Sequence, residues 1–477
     1  MKFLRRCLKG LGWLMLALGG FAAVGLAALI AANWNDDALS EAAQQAAHYT
    51  PPTEQSLQGN GYLILMGLDA PTGDDAIGDA MALGRQRLAR EIERRRWVEA
   101  HGDRQEGMPP SIAVENAGHD VFPDRLRCPV GEADCFAWFV KHGDEVQALA
   151  KTHQALLLRV AAAASAPQFS TPAPFYLLAE FPPYGRLVRT HELWLAQASL
   201  EWMRGQPQQA MDIAHQAVQL RSRLASHSNS LIASMIALAM QHRELRWFSE
   251  AGTHWELQTL PEISEEIEEL LSIPPSSLHQ ALEGEKQFMA SVFYSLKDAG
   301  LFAAPWDEHP AWWQHQLNSA SNLAFLPQQT LNLSIEYMQQ VQAISTLPAH
   351  QSDAAFSDTM RQWEENEACP SWNRLRNAAG ACLAAQARLG YKGYVQRVAD
   401  IDGYRRLVLL QHRAALEKVA PTDMPALLAQ SPNELRNPYT LEPMQWDAAT
   451  SSLVFEGRER QNQNPDQSPT YRIRLRS

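Results

Sequence analysis

A mainly α-helical protein is predicted by three features of the 477-residue sequence: an N-terminal transmembrane helix, a body that is a helical bundle or irregular α-solenoid, and a small C-terminal antiparallel β meander. An uncharged apolar run spans Leu11 to Ala32. Helical periodicity interrupted by prolines dominates from Phe136 to about Pro421, and apolar–polar alternation replaces it beyond that point.

Built as a helix, the Leu11 to Ala32 run would be about 33 Å long, which matches the hydrocarbon thickness of a bilayer. Lys2, Arg5, Arg6 and Lys9 precede it, and Asp36 and Asp37 follow. The positive-inside rule therefore puts residues 1–10 in the cytosol and 11–32 across the inner (plasma) membrane as a single-pass anchor. The body would be periplasmic or otherwise extracytoplasmic. Gly25-Leu26-Ala27 also has the small residues of a signal-peptidase site, so cleavage is the competing reading. The length of the run favours the anchor.

Residues 33–59 are polar and alanine-rich with a Pro51-Pro52 break, which reads as a juxtamembrane linker. The helical body is assigned to 60–420. Its first strong helix runs through Met81, Leu83, Leu88, Ile92 and Trp97, with Arg85, Arg87, Arg90, Arg94, Arg95 and Arg96 forming a solvated basic face. Further helices are placed at 136–164, 188–204, 208–226, 229–249, 276–298, 328–345, 373–389 and 395–418, separated by proline-marked loops. Glu262, Glu265, Glu266, Glu268 and Glu269 share a helix with Ile263, Ile267, Leu270 and Leu271, and read as its solvated face. Asp400-Ile401-Asp402-Gly403 echoes the start of a calcium loop without the later ligands and reads as a helix cap. In the C-terminal region, 421–477, strands are expected near Pro443 to Asp447, Ser452 to Arg458 and Thr470 to Arg476. Leu453 and Phe455 would share a face, and Tyr471, Ile473 and Leu475 would point inward.

Between Thr190 and Leu224, Trp194, Ala198, Gly205, Ala210 and Ala217 occupy the small and aromatic positions of a tetratricopeptide unit, and Gly205-Gln206-Pro207 supplies the turn. This stretch resembles one such unit, departing from it at Glu201 and Ser222. The resemblance covers a single unit and implies a closely packed antiparallel helix pair and contact with other proteins.

Composition narrows the partners. The chain carries 41 basic and 53 acidic residues, a net charge of −12. Taking the four cations of the N-terminus from 41 leaves the remainder more acidic still, so no concentrated cationic footprint for nucleic acid is present. Cys7 precedes the apolar run. The other four cysteines fall as two local pairs, Cys128 with Cys135 and Cys369 with Cys382, read as disulfides of an oxidising compartment, although three pairings are formally open.

No reaction is named by any motif. His191-Glu192 is not followed by the second histidine of HExxH, and GxSxG, GxxxxGK[ST] and GxGxxG are missing. No cofactor and no metal are expected. One constellation stands out, Trp306-Asp307-Glu308-His309-Pro310-Ala311-Trp312-Trp313-Gln314-His315. Trp306, Trp312 and Trp313 could stack on a ligand, while Asp307, Glu308, His309 and His315 could act as acid and base; an aromatic helix start capped by Asp307 is the simpler reading. The expectation is a membrane-tethered extracytoplasmic scaffold or protein-interaction protein of the cell envelope, with other envelope proteins as partners and any small-molecule ligand unidentified. The alternative is an envelope enzyme acting on cell-wall or polysaccharide material through Trp306 to His315. Asn332-Leu333-Ser334 is a formal glycosylation sequon, compatible with a secretory-pathway setting.

Overall fold

The computed structural model describes residues 2–101, 106–114, 121–129, 134–254, 260–299, 323–366, 375–388, 390–459 and 469–475. The fold is mainly helical and ends in a three-stranded antiparallel sheet. Helix α1, Lys2–Ala32, is continuous, and its Trp13–Ala32 portion is long and apolar enough to cross a membrane. None of that portion is buried by the rest of the chain, and Trp13, Leu16, Phe21 and Val24 are each at least 70% exposed.

The segment expected to be a linker is instead built into the body. Helix α2, Glu41–Ala47, buries Ala43 and Ala46 against Ala290, Phe293, Phe325, Leu331 and Ile335. A second short helix, α3, follows at Glu54–Leu57. By composition an alanine-rich stretch reads as a spacer; here alanines three apart give the small-residue face on which neighbouring helices lie.

The short apolar stretch after α3 is helix α4, Gly61–Met66, buried throughout against α5, Ala76–His101. The expected basic face of α5 is also corrected, because Arg94 and Arg95 are buried. Arg94 reaches Glu91, Glu180 and the Leu178 carbonyl, and Arg87 holds Asp69 together with the Met66 and Ile112 carbonyls. A guanidinium has five donors in a fixed fork, so it can satisfy loop carbonyls that would otherwise be buried unpaired. Arg159 does the same from further along the chain, donating to the carbonyls of Leu68, Ala70, Pro71 and Ala76.

The helix expected over 136–164 is three helices: α6 (Cys135–Lys141), α7 (Gly143–Thr152) and α8 (Gln154–Ser165). The breaks fall at His142 and His153, both near φ −100° and ψ 20°, a region that ends a helical run. Helices α9 (Tyr184–Met203) and α10 (Pro207–His227) form an antiparallel hairpin. Gly205 makes its turn at φ +79°, with the Gln206 amide donating to the Glu201 carbonyl and Pro207 opening α10. Helix α11, Leu231–His254, packs on both, and α12, Pro261–Ser272, buries Ile263, Ile267, Leu270 and Leu271 as expected.

Helices α13 (His279–Ala299), α14 (Pro327–Ser345), α15 (Ala349–Asn366) and α16 (Ala378–Arg388) complete the second half. They lead to α17, Tyr391–Leu416, and a short α18, Met424–Gln430. A satellite core of Tyr337, Met338, Val341, Phe356, Trp363 and Tyr391 sits beside the main one. Asn332 donates to the Ala38 carbonyl and accepts from the Ser40 amide, while Ser334 is buried. The sequon is thus part of the packing of α2 on α14.

The sheet has the order β1 (Gln445–Asp447), β2 (Ser452–Glu456), β3 (Thr470–Arg474). Leu453 opposes Ile473 and Phe455 opposes Tyr471, so the apolar face is the one the alternation predicts. The sheet docks on α17. Asp400 and Asp402 lie within this helix and do not cap it: Asp400 accepts from the Tyr439 hydroxyl and from the Arg458 and Glu459 amides, and Asp402 pairs with Arg405 and Arg406. Gly403 leaves room for the Phe455 ring, which a Cβ would meet at 2.2 Å. Gly403→Ala is therefore expected to lower stability by about 1–3 kcal/mol through overpacking, read as a drop in the urea midpoint; an unchanged midpoint would mean that the ring moves aside freely.

Candidate functional site

A cavity of about 340 Å³ lies between α6, α9 and α11, at the lower end of the range for small-molecule sites. Its wall follows from helical spacing. Helix α11 contributes Ala239, His242, Arg243, Arg246, Trp247 and Glu250, which fall on one face at intervals of three and four. Helix α9 adds Glu192, Leu195 and Ser199 by the same rule, and α6 adds Phe136 and Phe139. Phe122 closes the floor. Phe136 lies 5.6 Å from Trp247 between ring centres, and Trp247 donates its indole N–H to the Ser199 hydroxyl at 3.1 Å.

The mouth is charged. Glu192 accepts from Arg127 at 2.9 Å, Arg243 at 2.6 Å and Arg189 at 3.1 Å. Glu250 accepts from Arg246 at 3.0 Å and from the Cys135 amide at 2.9 Å. Burial pushes the Glu250 carboxyl above the usual range even though Arg246 opposes it. The Cys128–Cys135 disulfide, Cα atoms 5.4 Å apart, forms one edge, and a guanidinium nitrogen of Arg246 is 3.4 Å from the Cys128 sulfur. His242 lines the cavity and is exposed there, with Tyr404 at 5.2 Å between ring centres. Burial, and then Arg243 and Arg246, lower its pKa to about 4, so the ring is neutral at physiological pH.

Behind this wall is a second, closed charge cluster. Glu244 is buried between His191 of α9 at 3.0 Å and Arg221 of α10 at 3.0 Å. Burial pushes its carboxyl up, but Arg221 and His191 outweigh that and hold it below the usual range. His191 and Glu192 thus face different partners.

The residues singled out by sequence fare differently. Trp306, Asp307, Glu308, His309, Trp312, Trp313 and His315 lie outside the described residues. Cys128 and Cys135 are joined as expected; Cys382 is disulfide-bonded, and Cys369 lies outside the described residues. The cavity itself was missed. Its sequence signal is the mixed stripe His242, Arg243, Arg246, Trp247 and Glu250, which a search for purely apolar periodicity passes over. No protein family, curated protein or solved structure matches this chain.

An NMR titration of the His242 Cε1–H signal should show a midpoint near pH 4. Since the unfolded ring takes up its proton near 6.5, the folded state binds fewer protons between these values. Stability from this group is complete above pH 6.5 and is lost as the pH falls towards 4. A midpoint close to 6.5 would show the ring to be bathed in bulk water.

Proposed function

We propose that the chain is a membrane-tethered scaffold or protein-interaction protein of the cell envelope, with its N-terminus cytosolic and its helical body outside the cytosol. The observation that carries this reading is how α1 enters the body. Twenty residues of uncovered apolar helix need a non-aqueous surrounding. The end of that helix passes into the body with no free spacer. Asn33 donates to the Leu375 carbonyl and accepts from the Asn377 amide, and Arg376 donates to the Ala32 carbonyl and pairs with Asp37. Asp36 accepts the Gln328 and Gln329 amides in the first turn of α14.

The cations in the first turns of α1, ahead of its apolar portion, and the Cys128–Cys135 disulfide support the orientation. The close α9–α10 hairpin, which resembles one tetratricopeptide unit in sequence, supports a role in holding other proteins. These would be other envelope proteins.

Two measurements test the reading. Alkaline phosphatase joined after Ser477 should be active and a cytosolic reporter at the same place silent, with the full chain crosslinked in intact cells to a reproducible set of envelope proteins. An active cytosolic reporter would overturn the orientation, and recovery of the chain alone would overturn the scaffold. Separately, Asp36→Ala leaves two first-turn amides of α14 without their acceptor. It should cost about 1 kcal/mol and open residues 33–40 to protease; unchanged cleavage would show that the junction does not hold the helix.

A further inference from the structure

Where α1 meets the body, two apolar side chains stand exposed at the level at which the span ends. Trp34, just past Ala32, is 77% exposed, and Leu375, from a distant part of the chain, is 48% exposed. Hydrogen bonds fix Leu375 at that level: its carbonyl accepts from the Asn33 side chain at 2.8 Å, and the next residue, Arg376, donates to the Ala32 carbonyl at 2.8 Å. The turn that carries Leu375 is itself held, because Asn377, at φ +51°, is buried and its side-chain oxygen accepts from the Leu326 amide.

The end of α1 is sealed as well. The last carbonyls of a helix have no partner within it, and in water the solvent supplies one. Here the Leu29 carbonyl takes the Asn33 amide and side chain, the Ile30 carbonyl shares that amide, and the Ala32 carbonyl takes Arg376. A backbone satisfied in this way can enter a layer poor in water. The nearest charges along the chain are engaged too: Asp37 pairs with Arg376, and Asp36 accepts two amides of α14. Trp13 opens the apolar portion at its other end. Measured along a helix, the two indoles are about 30 Å apart, the separation of the two interfaces at which tryptophan collects.

We propose that the body is seated on the lipid itself, with Trp34 and Leu375 in the boundary between headgroups and acyl chains on the extracytoplasmic side. The turn at residues 375–377 then rests in the membrane surface beside the end of the span. This inference rests on the reading of α1 as a transmembrane anchor. The occupant of the face is a phospholipid interface, because both side chains stand level with the end of the uncovered apolar surface of α1 and extend it sideways onto the body.

The test places one fluorophore at a time on the full chain. In a Cys7→Ser background, with the disulfides of Cys128, Cys135 and Cys382 intact, the variants Phe21→Cys, Trp34→Cys, Leu375→Cys and Thr422→Cys, all at exposed positions, are labelled with nitrobenzoxadiazole. Variants whose thermal midpoint matches the wild type are set in phosphatidylcholine nanodiscs carrying a nitroxide either just below the headgroup or near the bilayer midplane. The label at position 21 should lose fluorescence mainly to the deep nitroxide, those at 34 and 375 mainly to the shallow one, and that at 422 to neither. Quenching at 21 with none at 34 and 375 would leave the anchor standing and overturn the seated body. Quenching at 34 without 375 would mean that only the end of the helix meets lipid, and would overturn it equally. No quenching at 21 would overturn the membrane reading and this inference with it. Shallow quenching at 422 equal to that at 375 would overturn the assignment to this face.

Discussion

The buried Glu244 carboxylate organises the centre of the molecule. It is contributed by α11 and satisfied by His191 from α9 and Arg221 from α10, so three long helices meet at one charge that water does not reach. A carboxylate buried this deeply is tolerable only with its partners in place, and loss of either would leave an uncompensated charge costing about 3–5 kcal/mol. The cluster therefore fixes the rotation of α11 about its axis. The opposite consequence appears a few residues along: with Glu244 turned inward, Arg243, Arg246 and Glu250 are presented at the cavity mouth, and Trp247 reaches Ser199.

The two faces of α11 show how context divides similar residues. Glu244 is held below the usual carboxylate range by two partners, whereas Glu250, with Arg246 and one backbone amide, lies above it. Burial acts on both in the same direction; the number and quality of partners decides the sign. The charged mouth also borders the Cys128–Cys135 bridge, which holds the short turn carrying Arg127 close to the start of α6.

Much of the architecture was legible in the sequence because it rests on short-range pattern. The apolar run, the Gly205 turn, the acidic face of α12 and the alternation within β2 and within β3 each follow from residues close together along the chain. The rest was not, because the deciding partner is distant. Arg87 and Arg94 look solvated until the carbonyls of loops tens of residues away are brought to them. Ala43 and Ala46 look like filler until Phe293 and Ile335 pack on them. The cavity combines both difficulties, since its stripe mixes charges with aromatics and its other walls come from α6 and α9.

The junction of α1 with Asn33, Asp36 and Asp37 has a mechanical consequence. A helix of twenty apolar residues is about 30 Å long, and in a bilayer of different thickness such a helix adjusts by leaning. On a flexible spacer that lean would stop at the membrane surface. Here the last turn is bonded to residues 375–377 and the chain just beyond it to the start of α14, so the helix acts as the shaft of a lever: any change of its angle in the proposed bilayer would swing the whole body through the same angle, making membrane thickness a variable the far side of the molecule can register.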